Sequence, residues 1–100
     1  MATYQLTQAA SDDIAEIFTE GLALFGLVQA DNYHEGLTAA FEFLADFPRA
    51  ARMREEINPP TRAYRYQSHV ILYDLDDDDE IIVLRVRHGR EDWLTYSNEE

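Results

Sequence analysis

Residues 69–88 read HVILYDLDDDDEIIVLRVRH, and the fold follows from how that stretch divides. Val70, Ile71, Leu72, Tyr73 and Leu75 precede, and Ile81, Ile82, Val83 and Val86 follow, an acidic interruption. Most of these side chains are β-branched or aromatic, which suits a pleated and half-buried surface. Asp76, Asp77, Asp78 and Asp79 lie between them. Their short carboxylates bond nearby backbone and favour a tight turn. The stretch therefore predicts a β-hairpin. In its second strand Ile82, Leu84 and Val86 would share one face, and Ile81, Val83, Arg85 and Arg87 the other. The all-apolar face is expected to lie under helices, and the other to end in guanidinium groups at the open face or rim.

Working outward, Tyr64 and Tyr66 extend the strand-like region toward the N-terminus. Residues 49–61 (RAARMREEINPPT) predict a helical turn and then an irregular connection ending in Pro59-Pro60. Before them lie two helical patterns. Ala10, Ile14, Ile17, Phe18, Gly21 and Phe25 recur at steps of three and four, which predicts one inward stripe. Thr7 or Ser11 can cap that helix, and Gly26 can end it in the left-handed region. A second helix is expected from about Gln29, with Ala30, Tyr33, Leu37, Ala40, Phe41 and Leu44 inward, and a stop at Phe47-Pro48. Tyr4-Gln5-Leu6-Thr7 alternates like a short strand.

The order predicts an α+β fold in a single domain over residues 1–100. An N-terminal strand leads into an antiparallel two-helix hairpin packed on an antiparallel sheet of three to four strands. Phe43 and Phe47 fall outside the inward stripe. They are either second-layer core or the wall of a groove that a partner helix fills.

Composition narrows the function. The net charge is −12, and all eight basic residues are arginine. Residues 1–48 hold eight acids and no base, whereas residues 49–73 hold five arginines against Glu55 and Glu56. An acidic field repels polyanions, so direct sequence-specific nucleic-acid binding is not expected. Cysteine is absent, which removes thiolate metal sites and thiol nucleophiles. The start lacks the basic and apolar regions of a secretory signal, and no apolar run is long enough for a membrane span. A cytoplasmic domain without membrane contact is expected. The acid run lacks the internal glycine and spaced glutamate of a calcium loop, so neither metal nor cofactor is expected.

No nucleotide loop or hydrolase motif occurs. What remains is a polar set on or beside the strands: Arg62, Tyr64, Arg65, Tyr66, His69, Tyr73, Arg85, Arg87, His88 and Arg90. Two chemistries use such a set. Ribonucleolytic cleavage needs a base, an acid and a cation for the phosphate, which His, Tyr and Arg can supply. Alternatively, arginines and aromatics anchor a protein–protein interface.

The residues Ser68 to Tyr73, the acidic turn, Ile81 to Arg90 and Asp92-Trp93 together resemble the C-terminal part of ParE-type toxins of the RelE/ParE superfamily. Tyr4 to Thr7, Asp13 to Ile17, Phe25-Gly26, Gln29 to Tyr33, Leu44 to Arg49 and Arg62 are similar to the same family. The resemblance runs from Tyr4 to Trp93, and it rests on order and spacing. It implies a type II toxin without enzymatic activity that poisons DNA gyrase and is neutralised by a ParD-like antitoxin. Arg62, Arg85, His88 and Arg90 match basic positions of the family and, with Arg87 and Trp93, are the candidates for target contact. Phe43, Phe47 and Tyr73 are the candidates for antitoxin contact. RelE relatives instead cut messenger RNA on the ribosome, and for that chemistry Arg65, His69, Arg85 and His88 form the catalytic set. A third possibility is a non-toxic relative that only binds antitoxins. The chain departs from the family in its acidity, its lack of lysine and Ala51, where a glycine is common.

Overall fold

The computed structural model describes residues 3–90. The elements are β1 (Tyr4–Leu6), α1 (Gln8–Phe25), α2 (Leu27–Asp46), β2 (Met53–Arg54), β3 (Thr61–Tyr66), β4 (His69–Leu75) and β5 (Ile81–His88). The strands form one five-stranded sheet in the order β1-β5-β4-β3-β2. Every adjacent pair is antiparallel except β1 and β5, which run parallel. The sheet is therefore mixed and one strand wider than expected. The parallel pair arises because the whole helical hairpin and three strands intervene before β5 comes alongside β1. None of the described helices is long and apolar enough to cross a membrane.

Local chemistry accounts for the helix ends. The Thr7 hydroxyl accepts from Ala10 N at 3.0 Å and caps α1. Gly26, at φ 91°, is the sole link between the helices, in a region that a side chain would strain. Gly21 lies against Ala30, and Phe18 against the His34 ring at 5.9 Å, so the helices run antiparallel. α2 begins at Leu27, two residues earlier than expected, because the single glycine completes the turn.

The main core lies between hairpin and sheet, where Leu37, Phe41 and Leu44 meet Ile71, Tyr73, Ile81, Val83 and Val86. A smaller cluster covers the opposite face, with Val70, Leu72 and Ala63 under Ile57. β4 is buried on both faces as a result. The expected face assignment of β5 holds for Arg85, Val86 and Arg87 but is reversed for Ile81, Ile82 and Val83. Leu72 pairs with Arg85 but Tyr73 pairs with Val83, so Leu84 is an extra residue, a β-bulge. Ile81 and Val83 face the helices before the bulge and Val86 faces them after it.

Two connections also differ from expectation. Residues 49–61 contain the short strand β2 instead of a helical turn, and the Arg62 guanidinium donates to Ala51 O at 2.7 Å beside it. β3 and β4 are separated by Gln67-Ser68, with Gln67 at φ 49°. The acidic turn is as expected. The Asp76 carboxylate accepts from Asp78 N at 2.8 Å and from Glu80 N at 3.0 Å.

Candidate functional site

The polar chemistry gathers where β5 runs past the end of β1. The parallel ladder stops at Val83, and among the described residues no strand pairs with the outer edge of β5 beyond it. The start of α1 takes over. Thr7 N donates to Val83 O at 3.0 Å, and the Thr7 hydroxyl to Leu84 O at 2.8 Å. Asp13 then accepts from Val86 N at 3.0 Å. The same carboxylate receives both Nε and NH2 of Arg85, at 2.8 and 3.0 Å, and Arg87 approaches to 3.8 Å. Asp13 is 8% exposed. A bidentate pair of this kind fixes the guanidinium plane, so Arg85 serves the fold.

A second cluster closes the other end of β5. His69 is buried, and its Nδ1 is hydrogen-bonded to the Tyr33 hydroxyl at 2.7 Å. Burial raises the Tyr33 phenol above its ordinary pKa. The His88 ring lies edge-on to His69 at 5.2 Å, and His88 Nδ1 accepts from Arg90 N at 3.1 Å. That backbone donor defines His88 Nδ1 as an acceptor and leaves Nε2 to carry the neutral ring's proton. Gly89 leaves room for the end of the Arg65 side chain. A side chain there would come within 2.8 Å of the Arg65 guanidinium, which lies against the glycine. Ile17, Phe18, Tyr33, Leu37, His69 and His88 line a cleft of about 290 Å³ between the helices and this end of the sheet.

Register decides which groups can cooperate. Arg65 pairs with Val70 and Val70 with Arg87, while Leu72 pairs with Arg85. Tyr66 pairs with His69 and His69 with His88. Alternation puts Arg65, Arg85 and Arg87 on one face of the sheet and His69 and His88 on the helical face. The four residues of the expected ribonuclease set thus do not converge on one opening.

The remaining candidates separate clearly. Arg62 is tied to the Ala51 carbonyl. Phe43 and Phe47 stack at 5.3 Å, with Tyr64 5.7 Å from Phe43, and both phenylalanines are exposed. Tyr73 is a correction. It is fully buried, its hydroxyl donates to Pro48 O at 2.7 Å, and burial raises its pKa, so it anchors the α2–β2 connection and offers no surface to an antitoxin. Trp93 lies outside the described residues. Phe25, expected on the inward stripe, is exposed with Leu24, Leu27 and Val28 at the tip of the hairpin. Sequence reasoning gave no functional weight to Asp13, Tyr33 and this tip. Asp13 could have been found, because an acid three residues after Ala10 falls on the inward stripe.

The family model for the ParE toxin of the type II toxin–antitoxin system, parDE, matches residues 4–93. The chain belongs to this family. Toxin ParE1 of Mycobacterium tuberculosis is 34% identical to this ParE-family chain over 89 residues, covering 89% of it and 91% of the relative. Toxin ParE1 of Caulobacter vibrioides is 32% identical over 88 residues, covering 88% and 90%. A chain from the solved chromosomal ParDE TA system of P. aeruginosa has the same fold. Its TM-score is 0.75 at 18% identity, with 88% of this chain and 96% of that one covered.

Proposed function

We propose that this ParE-family toxin poisons DNA gyrase in the cytoplasm through protein–protein contact, and that a ParD-like antitoxin neutralises it. The observation that carries the reading is the division of the polar residues by the sheet. General acid–base cleavage of RNA requires base, acid and phosphate-binding cation around one scissile bond. Here the histidines and the arginines of that set stand on opposite faces, and Asp13 holds Arg85. Arg65 and Arg87 on one face, His88 on the other and Arg90 just beyond surround the open end of β5, a rim of the residue types that anchor interfaces. The exposed Phe43 and Phe47 stack supports an antitoxin that covers the outer side of α2.

The test is a supercoiling assay with purified gyrase beside a ribosome-programmed messenger-RNA cleavage assay. Loss of supercoiling with intact RNA is the expected result. RNA cleavage with gyrase untouched would overturn the reading and turn attention to Tyr33, His69 and His88 in the cleft.

A further inference from the structure

One side of α2 carries a single pattern along its length. Val28, Asp31, Glu35, Glu42, Phe43 and Asp46 recur at near-helical spacing, and all are exposed. This side is apolar near both ends and acidic between them. At its first end Val28, 75% exposed, continues into Leu24, Phe25 and Leu27 around the Gly26 link. Near its last end Phe43 continues into Phe47 and Tyr64. The two apolar ends stand roughly 22 Å apart at the helical rise of about 1.5 Å per residue. Among the described residues none of the four carboxylates is ion-paired, and residues 1–48 contain no cation to balance them.

We infer that the antitoxin segment seated on α2 is a cationic amphipathic one, with apolar anchors at both ends and lysine or arginine between them. The inference rests on the toxin–antitoxin reading and adds the chemistry of the partner. Clustered exposed apolar side chains mark contact surfaces, and charge complementarity selects what settles on them. A second copy of this chain is disfavoured as the occupant, because two such faces would bring two sets of carboxylates together. A cationic segment neutralises Asp31, Glu35 and Glu42 while its ends cover the hairpin tip and the Phe43–Phe47 stack.

The probe is the protein encoded by the reading frame adjoining this chain's own, titrated calorimetrically into the full chain. Affinity is expected to fall about tenfold or more between 0.1 and 0.5 M NaCl, because the ion pairs lie at a solvent-exposed interface. Asp31→Arg with Glu35→Arg, both at exposed positions, weakens binding further. Asp12→Arg with Glu16→Arg, both exposed on the side of α1 turned away from α2, changes the net charge equally and leaves binding unchanged. A complex that ignores both salt and the α2 reversal overturns the cationic segment and leaves the toxin–antitoxin reading standing. Equal weakening by the α1 variant overturns it too, since the chain's whole field would then be the cause. A free chain that dimerises, with the dimer lost in the α2 variant, gives the face to a second copy. If the products of both adjoining reading frames fail to bind, both readings are overturned.

Discussion

Asp13 takes three hydrogen bonds from a nearly buried position: two from the Arg85 guanidinium and one from Val86 N. Removing a buried carboxylate leaves a desolvated cation and a backbone donor together. Asp13→Ala is expected to destabilise the chain by about 3–5 kcal/mol, read from the urea midpoint. A loss under about 1 kcal/mol would mean that water replaces the carboxylate readily. Arg85 belongs to the same unit, so its replacement confounds toxicity with folding. Arg65→Ala with Arg90→Ala, both exposed and outside that unit, is the cleaner probe of the target surface, expected to restore supercoiling while thermal unfolding is little changed. Full gyrase poisoning by a folded double variant would move the surface elsewhere. The tyrosines set the alkaline behaviour. Burial raises Tyr33 and Tyr73, so in the unfolded chain these phenols ionise first. Their contribution is complete below about pH 10 and is lost as pH rises above it. A stability profile that stays flat from pH 9 to 11 would contradict this.

At the scale of the element, what was legible followed from periodicity. Both helices and the acidic hairpin turn follow from spacing and turn chemistry alone. The first half of β5 was misassigned because alternation assumes an uninterrupted pleat, and the extra Leu84 puts Ile81 and Val83 on the same face as Val86. Nothing in Gln67-Ser68 advertises a turn, since neither glycine nor asparagine is present. β2 was hidden because it has only two residues and depends on pairing with a distant strand, β3. Of the candidate site, the basic residues were identifiable by type. Their division between two faces was not, because it depends on register. The Phe43–Phe47 stack belongs to α2 as an element. Phe43→Asp with Phe47→Asp should leave the fold intact and lower antitoxin affinity about 100-fold or more, as loss of an aromatic anchor pair does. Unchanged affinity in a calorimetric titration would free that end of α2 from the interface.

Across the whole molecule, charge and apolar surface are distributed unequally. The helical hairpin carries the acids of residues 1–48, and the sheet carries the arginines of β3 and β5. On the proposed reading, a gyrase contact on the arginine side and an antitoxin contact on the helical side would use different chemistry on one small body. The edge of β5 has a further consequence. An unpaired strand edge is a template on which another chain's strand can add, and repetition of that step builds aggregates. Thr7 and Asp13 occupy acceptors and a donor along that edge, and the opposite border of the sheet, β2, is only two residues long. The side chains at the start of α1 thus leave that stretch of the edge no free donor or acceptor on which a further strand could add.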